Sequence, residues 1–125
     1  MIVDDTPAAR IARLDEALAR RGQAVTLRRR IGAGSTFVDL PTRARVVGYA
    51  SSEVVGAVRV TDSKFIMSPS QLVAAGVAWP GVSGGDQWPV IGDFLVARGA
   101  QRRIEQTQAI VIGDVVVRIE GRIAG

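Results

Sequence analysis

Arginines are the side chains of this sequence whose number and spacing could do chemistry. Lysine and arginine together number 16 against 12 acidic residues in a chain of 125, which gives a formal net charge of +4. Guanidinium groups bind phosphates and carboxylates through a planar fork of donors. The arginines of the first strand and of the last third of the chain are therefore candidates for contact with phosphates or with the acidic rim of a partner protein. They are Arg28, Arg29, Arg30, Arg98, Arg102, Arg103, Arg118 and Arg122. For the first three, solvated charges that protect an edge strand from aggregation are the structural alternative.

Bond-breaking chemistry has few candidate groups. The chain contains no cysteine and no histidine, so disulfides, thiolate metal sites and Ser-His or Cys-His pairs are excluded. Asp86 and Asp93 flank one loop and could be read as paired carboxylates or a magnesium site, but Asp93 follows Gly92 at a turn, which explains it without catalysis. The glycine clusters at 32–34 and 81–85 lack the lysine and the strand-to-helix setting of a phosphate loop. We expect a protein that is not an enzyme and that has no cofactor and no metal site.

Nucleic-acid binding is the alternative function that the charge distribution keeps open. The first thirty residues hold seven arginines against four acidic residues. A single-strand site would need aromatic side chains interleaved with arginines on one strand face, yet aromatics make up only 5% of the chain. Phe37, Phe65 and Phe94 are expected in the core, so we expect no sequence-specific reading of bases.

Two helices are predicted from their end signals. Thr6-Pro7 begins the first helix and Gly22 stops it, while Ser68-Pro69 begins a short central helix that Gly76 ends. The apolar stripe of the first helix is narrow enough to pack either on the end of a sheet core or on a neighbouring subunit. Its members are Ile11, Leu14 and Leu18.

The strands of the first half are predicted from period-two alternation. The first covers residues 24–31 and places Arg29 on the face of Val25 and Leu27, with Arg28 and Arg30 on the other face. Residues 39–42, which include a proline, are expected to break the strand that 36–38 begin. A second strand follows at 43–49, and a hairpin joins 54–60 to 64–67.

An antiparallel meander is predicted for the last third of the chain. Gly113-Asp114 supplies the residue types of a two-residue hairpin turn, and residues 98–101 reverse the chain between 94–97 and 102–107. One face of this meander is expected to wall the core, and its arginines are expected to project outward. The core positions are Phe94, Val96, Ile112, Val115, Val117 and Ile119.

These elements predict an all-β fold, a small β-barrel or rolled antiparallel sheet of about six to eight strands, with an N-terminal α-helix and one short central helix. We expect one domain over residues 1–125, with a helical arm at 1–23 and the barrel at 24–125. Residues 77–91 form a loop that Trp79 and Trp88 anchor to the barrel. The apolar runs are too short to cross a bilayer and residues 1–5 lack a signal-peptide layout, so we expect a cytoplasmic origin and no membrane partner.

Several stretches, in order, resemble one known family over essentially the whole chain. They are LDEALAR (14–20), VTLRR (25–29), ARVVGY (44–49), EVVG (53–56), FIMSPSQL (65–72), GDFLV (92–96) and VRIEGRIAG (117–125). In order and spacing they resemble the small head-tail connector proteins of long-tailed phages and gene transfer agents, specifically the head-closure or stopper group.

The resemblance implies a homo-oligomeric ring in the neck of a virion or phage-like particle, made in the bacterial cytoplasm. Such a ring would contact a portal-side adaptor protein and a tail-side terminator or tail tube protein. It would surround packaged double-stranded DNA without reading its sequence, with a loop at 32–42 or 50–62 reaching into the channel. The arginines named above would then form a charged rim, a ring interface or the lining of the channel. An adaptor or tail terminator of the same neck is the alternative within the machine.

Overall fold

The computed structural model describes residues 6–32, 34, 36–49, 56, 58–59, 61–79 and 85–125. Its strands are β1 (Gln23–Ile31), β2 (Thr36–Gly48), β3 (Ser63–Met67), β4 (Phe94–Ala97), β5 (Ala100–Ile112) and β6 (Val115–Ile123), and its helices are α1 (Pro7–Arg21) and α2 (Ser70–Ala75). These six strands are antiparallel to their neighbours and close into a barrel in the order β1-β2-β3-β6-β5-β4. The predicted all-β barrel with an N-terminal helix and a short central helix is confirmed. No helix in the described part of the chain has the length and apolar character that crossing a membrane requires.

Helix α1 begins and ends where its sequence signals predict. The hydroxyl of Thr6 accepts a hydrogen bond from the backbone N–H of Ala9 at 3.2 Å, and the N–H of Gly22 donates to the carbonyl of Leu18 at 2.9 Å. The helix packs against β6 and β2 of its own barrel and buries Leu18. Of the two packing alternatives for the apolar stripe, the one seen here is therefore contact with the chain's own sheet.

The ends of helix α2 also agree with their sequence signals. The hydroxyl of Ser68 accepts from the N–H of Ser70 at 3.1 Å, and Gly76 ends the helix with a left-handed φ of 56°. The hydroxyl of Ser70 donates to the carboxylate of Asp15 at 2.6 Å, which ties α2 to α1. A 3₁₀ turn at Gly76–Ala78, which was not predicted, leads to Trp79.

Strand β2 is longer than predicted, because residues 39–42 continue it without a break. Pro41 pairs with Thr26 of β1, whereas β3 pairs with β2 only from Ala44 to Gly48. Among the described strands, Pro41 therefore has a neighbour on one side only. A proline is tolerated at such an edge, since no second strand needs its missing N–H.

The two predicted turns of the meander are confirmed. Gly113 and Asp114 have φ values of 55° and 65°, and Arg98 and Gly99 have φ values of 52° and 80°. Two successive left-handed residues give the twist that two-residue hairpins favour. Strand β3 is also confirmed, and it pairs with β2 and β6, but its expected hairpin partner at 54–60 lies mostly outside the described residues.

The predicted core face of the meander is wrong in part. Val117 and Ile119 are buried as expected, but in β4 the core-facing residues are Leu95 and Ala97. Phe94 and Val96 consequently lie on the outer face of the barrel. Every residue of β4 is apolar, so alternation alone could not choose the inward face. Two further expected core positions at the hairpin tip are not core: Val115 is 42% exposed and Ile112 is only half-buried.

Gly121 leaves the space that Phe65 fills at the centre of the core. It lies in β6 opposite Phe65 of β3 and Thr107 of β5, next to the point where the register of β5 shifts after Ile104. A Cβ atom there would overlap the carbonyl oxygen of Gln106 and would lie 2.8 Å from the Phe65 ring. The backbone of β5 cannot move away without breaking its pairing with β6.

We expect Gly121→Ala to lower the free energy of unfolding by about 1–3 kcal/mol, because the methyl group overpacks the core. Urea denaturation followed by tryptophan fluorescence measures this loss. Gly48→Ala is the matched control, since Gly48 is also a strand glycine and a Cβ there meets nothing within 4 Å. Equal effects of the two substitutions would contradict the packing argument.

Candidate functional site

Arg29 lies inside the barrel end, which corrects the prediction that it belongs to a charged rim. It shares the inward face of β1 with Val25 and Leu27 and is only 8% exposed. Its guanidinium donates to both carboxylate oxygens of Asp93, from Nε at 3.0 Å and from Nη2 at 2.8 Å. Nη1 donates to the carbonyl of Asp86 at 2.6 Å, and Nη2 also donates to a second loop carbonyl at 3.1 Å. Every one of its donor nitrogens is thus engaged within the fold.

Trp79 and Trp88 hold the loop to the barrel together with this ion pair. The Arg29 guanidinium stacks 4.6 Å from the centre of the Trp79 ring, which is 1% exposed. The indole N–H of Trp79 donates to the carbonyl of Gln87 at 3.0 Å, and Trp88 packs against the core while its own carbonyl accepts from Arg29. Residues 85–93 are therefore fixed from several directions.

The sequence context explains Asp93 as a turn residue, but in the structure its carboxylate also forms a buried ion pair. Its carboxylate pairs with Arg29 and also accepts from the N–H of Val90 at 2.9 Å, and it is 3% exposed. The signal that could have found this pair was present in β1. An arginine in phase with buried Val25 and Leu27 requires a buried acidic partner.

Arg28 and Arg30 project from the opposite face of β1, as predicted, but they meet aromatic rings that were expected in the core. Phe37 and Phe94 lie on the outer face with ring centres 6.5 Å apart, and the guanidinium carbons of Arg28 and Arg30 lie 5.3 and 5.6 Å from the Phe37 ring centre. Of the three phenylalanines, only Phe65 is core. We call Arg28, Arg30, Phe37 and Phe94 the arginine–phenylalanine face.

An ion pair fixes one arginine of this face. Arg28 donates to both carboxylate oxygens of Asp39, at 2.8 and 2.9 Å, and to the side chain of Gln101 at 2.9 Å. The hydrogen bond from Arg28 lowers the pKa of Asp39, and the same bond raises the pKa of Arg28. The positive charge of Arg28 is thus balanced locally, while Arg30 has no carboxylate partner among the described residues.

The arginines of the meander have different surroundings. Arg98 is exposed at the β4–β5 turn, and Arg103 and Arg118 lie on the outer face in ion pairs with Glu105 at 2.9 Å and Glu120 at 3.0 Å. The structure therefore brings the predicted arginines to several separate places rather than to one site.

Arg102 and Arg122 depart from the expectation that they are free outward charges. Arg102 lies on the same side of β5 as buried Ile104, where it donates to the carbonyls of Ala124 at 2.7 Å and Thr61 at 3.2 Å. Arg122 points outward but its side chain is only 13% exposed, because Asp62 covers it in an ion pair of 3.0 Å. Both residues cross-link chain segments.

Asp62 is the acidic centre of that cross-link. It accepts from the backbone N–H of Arg59 at 3.0 Å, from Arg122 at 3.0 Å and from the backbone N–H of Gly125 at 3.1 Å. These donors, the Arg59 N–H foremost, lower the pKa of Asp62 because they stabilise the charged form.

Metal-ligand clusters are absent from the part of the chain that the structure describes. No three acidic side chains there lie close enough together to hold a metal ion. The chain was compared with protein-family models and with the curated proteins, and neither comparison gives a match. The assignment to head-tail connectors therefore stays a prediction.

We expect Arg29→Met to lower the free energy of unfolding by about 3–5 kcal/mol, because Asp93 would stay buried without a counter-charge. Urea denaturation measures the loss. Arg30→Met is the matched control, since it removes the same charge from an exposed position of the same strand, and we expect it to stay within about 0.5 kcal/mol of the parent protein. Similar losses for both variants would refute the structural role of Arg29.

We expect Asp62 to contribute stability that acid removes. Its pKa is lowered by folding, so the contribution is complete above the unfolded-state pKa of about 3.9 and is lost as the pH falls through the lower folded-state pKa. The difference in unfolding free energy between the parent protein and Asp62→Asn should be constant from neutral pH to about pH 5 and should shrink on further acidification. Urea titrations at a series of pH values test this, and a difference that does not change in acid would contradict it.

Proposed function

We propose that the chain is a structural ring subunit of a virion neck, of the head-closure or stopper type. Copies of the subunit would form a ring that joins the portal-adaptor complex of a DNA-filled head to the tail. The partners are further copies of the chain, a portal-side adaptor protein, a tail-side terminator or tail tube protein, and the packaged DNA that the ring surrounds. The family resemblance supplies this hypothesis, and a surface that combines an unpaired strand edge with exposed apolar side chains supports it.

The supporting surface is the arm of β5 and β6 at residues 107–119. Residues 106–112 of β5 pair with β6 and with no other described strand, so within the described part of the chain the outer edge of β5 is unpaired along this arm. Val111 is 54% exposed and Val115 is 42% exposed near the tip. An open strand edge beside exposed apolar side chains is a template for contact with another chain.

An apolar groove lies beside the tip of the arm. It has a volume of about 660 Å³ and is formed by α1, α2, the loop and β6. The apolar residues that matter here are Ile11, Val73, Ala74, Trp88 and Val115, and Val73 is 59% exposed. We assign the groove to the arm edge of a second copy. The groove and the edge of β5 meet at Val115 but otherwise consist of different residues, so contact between them on two copies is head-to-tail, and it closes into a ring when the rotation between subunits allows it.

The positive charge of the chain supports DNA and acidic proteins as further partners of the proposed ring. The chain is basic, with a formal net charge of +4, and Arg30 and Arg98 are exposed without carboxylate partners among the described residues. Such charges suit DNA in a channel or an acidic rim on a neighbouring ring. An adaptor or a tail terminator of the same neck would use the same kinds of surface and is the alternative within the machine.

A small-barrel nucleic-acid-binding protein is the second candidate function, and the arginine–phenylalanine face favours it. The sequence argument against this candidate placed Phe37 and Phe94 in the core, whereas both lie outside beside arginines. Bases of a single strand stack on aromatic faces of this kind. Sub-micromolar binding of a labelled single-stranded oligonucleotide by the isolated subunit, weakening steeply with salt and lost in Phe37→Ala, would favour this candidate over the ring.

We expect Val111→Glu and Val115→Glu to prevent ring assembly, because each would place a charge in the apolar contact. Electron micrographs of particles show whether DNA-filled heads join tails, and native mass spectrometry of the subunit with its portal-adaptor complex shows whether a ring is added. Ile91→Glu is the control, since Ile91 is an exposed apolar residue at 60% and lies outside the arm, the groove and the other surfaces discussed.

Assembly of both arm variants at the level of the control would show that the arm is not the contact. Heads that retain DNA and join tails in particles lacking the chain altogether would refute the stopper function itself.

A further inference from the structure

We propose that a cleft lined by three arginines binds phosphate groups of a duplex DNA backbone. Arg21 at the end of α1, Arg45 on β2 and Arg98 at the β4–β5 turn line one open cleft of about 650 Å³. Arg21 and Arg45 were not among the residues that the sequence indicated. The site is separate from the arginine–phenylalanine face and from the arm.

Strand pairing brings these three arginines together. Gln23, just after α1, pairs with Ala44 of β2, and Val25 of the same strand pairs with Ala97 of β4. The end of α1, the outer face of β2 and the β4–β5 turn therefore meet around the start of β1. Residues separated by more than fifty positions along the chain reach one end of the barrel in this way.

The guanidinium groups of the cleft have no carboxylate partner among the residues that the structure describes. No acidic side chain belongs to the lining that the described residues form. Several acidic residues are already engaged elsewhere, since Asp39 pairs with Arg28, Asp62 with Arg122 and Asp93 with Arg29. Guanidinium groups that converge without a carboxylate repel one another and attract an oxyanion, and phosphate oxygens match the guanidinium fork.

Arg43 offsets the partial negative charge at the C-terminal end of α1, which lies beside the cleft. Its Nε donates to the carbonyl of Leu18 at 3.0 Å, and its Nη2 donates to the carbonyl of Gly22 at 2.7 Å. These carbonyls belong to the C-terminal end of the helix, whose partial negative charge would otherwise oppose an anion nearby. Arg43 lies two residues before Arg45 on the same face of β2, so it adds a further positive charge next to the cleft.

The backbone of Arg98 provides an independent indication. Its φ of 52° lies in the left-handed region, which glycine and asparagine adopt more readily than arginine. Asparagine would suit the turn better, and the side chain of Arg98 makes no core contact that would explain an arginine there. A strained residue at an exposed turn points to a role outside folding.

The composition of the cleft favours phosphate over an acidic protein. Protein interfaces take most of their affinity from aromatic or large apolar anchors, whereas the exposed apolar contribution here is Val47 alone among the described lining residues. The side-chain hydrogen-bond donors of the lining are the three arginines and the amide of Gln23, and side chains of these kinds contact DNA backbones. The inference rests on the proposed function and deepens it, because it names the place on the subunit that would contact the packaged DNA, and it can be tested on the isolated subunit, which already exposes the cleft.

The test is a titration of a fluorescently labelled 20-base-pair duplex with the full chain at several salt concentrations. We expect Arg45→Gln/Arg98→Asn to bind about tenfold more weakly than the parent protein, on duplexes of unrelated sequence alike, and to lower the slope of log affinity against log salt by about two. The melting temperature of this variant should not fall, since asparagine relieves the strained turn. The charge-matched control is Arg59→Gln/Arg103→Gln, which removes two exposed arginines that lie outside the cleft lining and outside the arginine–phenylalanine face, and it should change the affinity less than twofold.

Three outcomes would overturn the proposal. The parent protein could fail to bind the duplex at low salt, or the control could lose as much affinity as the cleft variant, which would show a diffuse charge effect. A poly-glutamate peptide could bind the parent protein as tightly as the duplex and lose affinity in the cleft variant, which would assign the cleft to an acidic protein. None of these results bears on ring assembly through the arm, so the two proposals fail separately.

Discussion

The buried ion pair of Arg29 and Asp93 is the interaction on which the arrangement of this barrel depends. Burying two charges costs several kcal/mol per ion unless their hydrogen-bonding groups are satisfied. Here the carboxylate takes a bidentate bond and a backbone N–H, and the guanidinium also reaches two loop carbonyls and stacks on Trp79. Together with Val25 and Leu27 the pair fixes which face of β1 points inward, and it binds residues 85–93 across the barrel end. Arg28 and Arg30 are outside for the same reason.

Arginine serves two opposite purposes in this chain. Arg29, Arg43 and Arg102 each donate hydrogen bonds to backbone carbonyls of distant segments, so they tie those segments together. Five donors on a planar group make arginine suited to such cross-links. Arg45 and Arg98 have no such acceptor among the described residues, and their charge is left for a partner. Net charge alone cannot separate these two groups.

The apolar and the cationic surfaces are built mostly from different elements and share α1, which contributes Ile11 to the groove and Arg21 to the cleft. The arm and its groove use β5, β6, α1 and α2, while the cleft uses β2, the β4–β5 turn and the last residue of α1. A subunit that contacts both protein and DNA benefits from this separation. An apolar contact excludes water and would strip charged groups of their hydration, whereas a phosphate site tolerates water and salt.

The sequence by itself determined the features that depend on local backbone preference and on simple alternation. These are the ends of both helices, the turns at Arg98-Gly99 and Gly113-Asp114, the strand phase that put Arg29 beside Leu27, and hence the barrel class. Only the tertiary structure decided the inward face of β4, the passage of β2 through Pro41, the inward position of Arg102, and the meeting of Arg21, Arg45 and Arg98 in one cleft. Each of these depends on which strands become neighbours when the barrel closes. That choice is made by contacts between residues far apart in the chain, which no local pattern records.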